Sequence, residues 1–174
     1  MIAYMIIAQR FFDICLFKAG PADVPASHLL LKITLLLYFV VGVVISRIDN
    51  DWDVSLFTSL TDMLVMIIAV WLLLKFSGFK ARYQQTVIAM AGAGSCLGIL
   101  GIPVMFLFHQ TNEQQQLTSF TMLLMIALMF WSLMVTAHIF RQALEIKPGM
   151  AAVLTIAYTI VSLLIVGLAI SGVA

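Results

Sequence analysis

"TSLTDMLVMIIAVWLLLKF", residues 58–76, is apolar enough to cross a lipid bilayer, yet it carries a carboxylate at Asp62. If the helix begins near Val54, a rise of about 1.5 Å per residue sets this acid roughly 12 Å deep. An ionised group at that depth is costly, so Asp62 either performs a task or is shielded from lipid by neighbouring helices. Thr58 and Ser59 precede it within one turn and would line a proton or cation site there.

The remainder of the chain supports the membrane setting. Of 174 residues, 63% are hydrophobic and 10% charged, against about 25% charged in soluble domains, and the mean hydropathy is +1.13. The sequence therefore predicts an all-α, polytopic membrane protein. A net charge of +1 with no run of like charge argues against nucleic-acid binding. Cys15 and Cys96 lie on separate apolar segments, which predicts no close partner for either and no disulfide.

Five stretches have the roughly 20 apolar residues that a spanning helix needs: about 27–46, 54–74, 86–108, 117–140 and 150–173. Together they form one integral membrane domain over residues 1–174, with the lipid bilayer as its first partner. Residues 1–18 are apolar but interrupted by Gln9, Arg10 and Asp13 on one narrow face. That pattern predicts an amphipathic helix lying in the interface rather than a sixth span. It lacks the basic leader and small-residue cleavage site of a signal peptide, so the segment is expected to be retained. No C-terminal lipidation motif is visible. In "AGPADVPAS" (19–27), Gly20, Pro21 and Pro25 are expected to end that helix, and Ser27 to cap the next.

Basic residues sit in alternate connections: Arg10 and Lys18, then Lys75, Lys80 and Arg82, then Arg141 and Lys147. The other connections are "RIDNDWD" (47–53) and "HQTNEQQQ" (109–116), acidic or without a cation. Lys and Arg concentrate on the cytoplasmic side. The expectation is a bacterial inner-membrane protein with a cytoplasmic N-terminus and a periplasmic C-terminus. No internal repeat of the kind found in many secondary transporters stands out.

Other residues invite chemistry. Lys32 enters the first span from the opposite face to Asp62, where its stem can snorkel to the interface. Its Cα differs in depth from that of Asp62 by roughly 10 Å, so pairing requires both side chains fully stretched. His28 and His138 are weak candidates for metal or haem ligation because both stand at helix ends, and His109 has no ligand-spaced partner. No nucleophile motif, phosphate loop or pair of carboxylates appears, so neither an enzyme nor a cofactor is expected. Trp131 falls near mid-span, where its indole N–H needs a partner such as Thr136 or a neighbouring helix.

The third run carries Gly92, Gly94, Gly98 and Gly101, with Gly94 and Gly98 in G-x-x-x-G spacing and Pro103 expected to kink its end. Small residues let helices approach closely in lipid, as a packing helix within the chain or as an association face.

"KFSGFKARYQQTVIAMAGAGSCLGILGIPV" (75–104) and "WSLMVTAHIFRQALEI" (131–146) resemble the Yip superfamily of Rab-interacting integral membrane proteins, particularly its bacterial members. The resemblance implies five helices and work through partner proteins, and supplies no catalytic residue. No long soluble segment of the kind that family carries ahead of its helices is expected among residues 1–174, which argues against a GTPase partnership. Two functions follow. One is a non-enzymatic scaffold, assembly factor or accessory subunit contacting other membrane subunits or itself. The other is a small proton- or ion-coupled transporter or channel centred on Asp62, with Thr58, Ser59, Lys32, Thr155, Tyr158 and Thr159 along its route.

Overall fold

The computed structural model describes residues 2–110 and 115–171, with side chains over 7–108 and 119–171. The connection at 111–114, the side chain of His109 and the end of the fifth apolar run at 172–173 lie outside the described residues. Six α-helices follow one another: α1 (Ile2–Cys15), α2 (His28–Ser46), α3 (Trp52–Phe76), α4 (Tyr83–Gln110), α5 (Gln115–Leu144) and α6 (Pro148–Ser171). No strand occurs among the described residues. The five from α2 to α6 are long and apolar enough to cross a membrane.

Neighbouring contacts close α2, α3, α6, α5 and α4, in that order, into a ring, with α1 packed on the outside against α4 and α5. Because successive helices run up and down, Lys18, Lys75, Lys80, Arg82, Arg141 and Lys147 gather at one end of the bundle. Arg47 and the acids Asp49, Asp51 and Asp53 stand at the other. Gln85 Nε2 donates to Val24 O at 3.0 Å and Arg82 pairs with Glu145 at 2.5 Å, tying three connections together at the basic end.

The centre of the packing is α4, half of whose apolar stretch is buried, against 11–17% in the other long helices. Its small residues are the cause. A Cβ on Gly92 would collide with the Phe11 ring of α1, one on Gly94 would stand 2.7 Å from Tyr38 Cε2, and one on Gly98 2.6 Å from Val41 Cγ1. The notches of α4 are thus filled within the chain, by α1 and α2. Gly101 departs from the expectation, since nothing lies within 4 Å of where its Cβ would be. Pro103 stands inside an unbroken α4.

Three local expectations need correcting. Helix α1 ends before Gly20 and Pro21: Phe17 turns left-handed (φ 62) and Lys18 N reaches back to Asp13 O at 2.8 Å, a closure that usually takes glycine. Ser27 occupies the N-cap position of α2, but its hydroxyl makes no capping bond. Finally, Cys15 and Cys96 are not isolated. Docking of α1 into the Gly92 notch brings their free thiols close to one another, with Cys15 Sγ 3.7 Å from Ala93 O. Trp131 donates its indole N–H to Cys15 O at 2.9 Å, using a carbonyl freed at the end of α1 rather than Thr136.

Candidate functional site: a carboxylate between two cavities

Asp62 points into the ring from α3, and its oxygens are held by hydroxyls of two other helices. Tyr38 Oη on α2 donates to Oδ2 at 2.5 Å, and Ser162 Oγ on α6 donates to Oδ1 at 3.2 Å. No basic side chain forms an ion pair with it among the described residues. The phenol reaches this acid because Gly94 leaves room for its ring on the surface of α4. An alanine at 94 would press on the ring that carries the hydrogen bond.

A cavity adjoins each side of the carboxylate. Toward the acidic end, one of about 330 Å³ is bounded by Ile45 and Ser46 of α2, Thr58 and Ser59 of α3, Gly98 of α4 and Val166 of α6. Toward the basic end, one of about 280 Å³ is lined from all five long helices, with Met66, Met90, Met129, Thr136, Tyr158 and Thr159 among its walls. Tyr38, Asp62, Gly94, Ser162 and Leu163 belong to both and form the partition between them.

The hydroxyls leading to this partition are unsatisfied. Thr58 Oγ1 and Ser59 Oγ are buried without a partner, as is Ser55 Oγ one turn nearer the acidic end. Positions 55, 58, 59 and 62 share one face of α3, so a line of hydroxyls runs from the acidic end to the carboxylate. Buried polar groups normally find a protein or water partner. A hydroxyl-lined cavity of this size has room for water that would serve them.

Thr58, Ser59, Tyr158 and Thr159 are therefore brought to Asp62 as the sequence suggested. Lys32 is exposed and lines neither cavity, so it is not a partner of the acid. Thr155 also lies apart, its hydroxyl bonded to Ala151 O at 2.9 Å within α6. Sequence reasoning missed Tyr38, Ser162 and Ser55. Ser55 was within reach through its seven-residue spacing from Asp62, whereas Tyr38 and Ser162 depend on which helices adjoin.

Of the candidate histidines, only His138 is tied into the packing. His138 Nε2 stands 2.9 Å from both Ala19 O and Gln142 Nε2, and His28 is exposed. No group of three metal-ligating side chains occurs among the described residues. No protein-family model, curated protein or solved structure matches this chain.

Proposed function

We propose that this protein is a small proton-coupled carrier of a bacterial inner membrane, with Asp62 as the group that takes up and releases the proton. The reading assumes the N-terminus cytoplasmic, the acidic end periplasmic and α1 near the cytoplasmic interface. The supporting observation is the setting of Asp62: a carboxylate inside the bundle, held by hydroxyls rather than by a cation, at the partition of two cavities. No lysine or arginine pairs with it among the described residues, so taking up a proton breaks no ion pair.

A proton is favoured over a metal cation because transporters commonly coordinate sodium with backbone carbonyls of unwound helices, and α2, α3 and α6 are unbroken around this acid. Water in the cavity toward the acidic end, beside Thr58 and Ser59, would deliver the proton. Water in the cavity beyond Asp62, beside Thr136, Tyr158 and Thr159, would receive it.

Asp62→Asn keeps the shape and one of the two accepting oxygens but cannot exchange the proton. In proteoliposomes under an imposed pH gradient, the purified protein should carry proton flux and Asp62→Asn should abolish it, with both variants equally helical and monodisperse. Equal flux in the two would refute the reading.

A second reading keeps the partner-dependent role implied by the Yip-like segments. It is supported by an apolar groove of about 220 Å³ between α3 and α6, lined by Val65, Ala69, Leu72, Leu154, Ala157 and Val161. Such a groove fits a partner's helix. Isolation in mild detergent at native abundance tests it, since a lone monodisperse monomer would count against a scaffold or accessory subunit.

A further inference from the structure

Three helices end at the basic end of the bundle with the same closure, a left-handed residue followed by a backbone N–H that reaches back one turn. In α3 the residue is Gly78 (φ 83), which adopts it freely. In α1 and α5 it is Phe17 (φ 62) and Glu145 (φ 54), the two non-glycine residues with positive φ among those described. A side chain in this conformation is held against a steric penalty, and such positions concentrate at functional sites. Phe17 and Glu145 line one cavity, of about 600 Å³.

The other walls of that cavity are mostly polar and include two guanidinium groups. Arg82 gives Nη2 to Glu145 Oε1 at 2.5 Å and Nη1 to Gln142 O at 3.4 Å, and its side chain remains 36% exposed. Arg141 is exposed and forms no ion pair among the described residues. The wall opposite is fixed, because His138 Nε2 stands 2.9 Å from Ala19 O and from Gln142 Nε2, bonding to one or the other by tautomer, and its ring meets that of Phe17 edge-on at 5.4 Å. One carboxylate thus faces two guanidiniums, and a positive charge is left without a counterion.

The cavity also continues into an apolar one. Phe17, His138 and Arg141 are shared with a groove of about 250 Å³ that runs past Met134, Ala137 and Ala151 between α5 and α6. Met134 is 59% exposed there, on the side that acyl chains would cover.

The geometry points to a binding site for an anionic phospholipid, its phosphate on Arg141 and the remaining N–H groups of Arg82, its acyl chain in the groove beside Met134 and Ala137. Guanidinium forks match phosphate oxygens in pairs, and basic pockets between spans at the cytoplasmic headgroup level suit such lipids. Free phosphate would leave the groove unfilled, and a zwitterionic lipid brings its own cation to a site that already has one. The site is independent of Asp62, and the two assignments stand or fall separately.

The test uses the full chain in nanodiscs of phosphatidylcholine containing a minor fraction of phosphatidylglycerol, followed by extraction in mild detergent and mass-spectrometric counting of retained lipid. Phosphatidylglycerol should be retained well above its share of the bilayer. Arg141→Ala should reduce that enrichment roughly tenfold, as expected for loss of a charge-assisted contact. Ala137→Trp fills the groove while sparing both arginines, and should reduce it as well. Millimolar inorganic phosphate should not displace the lipid. Equal retention of the two lipids, enrichment unaffected by either substitution, or displacement by inorganic phosphate would each overturn the proposal. Should Arg141→Ala fail to fold, Arg141→Lys takes its place: it keeps the charge without the fork and is expected to lose part of the enrichment.

Discussion

At the scale of single residues, Asp62 is the point where sequence and structure meet most closely. Its place within a long apolar helix was legible from hydropathy alone, and so were Thr58 and Ser59 beside it. Its partners were not, because Tyr38 and Ser162 lie 24 and 100 positions away, and single-sequence periodicity carries no record of which faces meet. Tyr38→Phe removes the shorter hydrogen bond to the carboxylate. It should lower thermal stability by about 1–3 kcal/mol and reduce proton flux while leaving helicity unchanged. Thr58→Val is the sharper probe, since it replaces an unpartnered hydroxyl by a methyl of similar size. If that hydroxyl only packs, the change is neutral or stabilising and flux persists. The proton route described above requires flux to fall while the folded state survives.

At the scale of elements, the small residues of α4 were recognised as a packing surface, but the sequence left open whether they served this chain or a partner. The choice depends on objects far along the chain, the Phe11 ring and the Tyr38 ring, that happen to fill the notches. Gly92→Leu should therefore detach α1, and Gly94→Leu should separate α2 from α4 and destroy the carboxylate site. Gly101→Ala meets open space and should be tolerated, with a gain of up to about 1 kcal/mol from helix propensity. Chemical denaturation in mixed micelles ranks the three. The docking of α1 has its own reporter in the facing thiols of Cys15 and Cys96. A mild oxidant such as copper phenanthroline should join them within one chain, and Gly92→Leu should prevent it. The helix ends were the least legible feature, because closures at Phe17 and Glu145 break the local preference for glycine and are held by tertiary contacts such as the Phe17–His138 pair and the Arg82–Glu145 bridge.

At the scale of the whole molecule, the number of long helices follows from hydropathy because a spanning segment must satisfy its backbone internally and be apolar over a fixed length. Their order around the ring does not, since neither hydropathy nor charge distinguishes α6 from α5 as the neighbour of α3. That order decides the function proposed here: placing α6 beside α3 brings Ser162 to Asp62 and divides the interior into two cavities around one acid. Cationic turns at one end and carboxylates at the other then give the two cavities different surroundings, which a directional proton carrier needs.

The claim that Asp62 is an exchangeable proton site inside the membrane is tested most directly by labelling native membranes with dicyclohexylcarbodiimide, an apolar reagent that reacts with protonated carboxyl groups, and mapping the adduct by mass spectrometry. The account predicts a single modified acid, Asp62, with labelling that declines as pH rises and disappears in Asp62→Asn. Absence of label at Asp62 across the accessible pH range, with the protein folded, would contradict it.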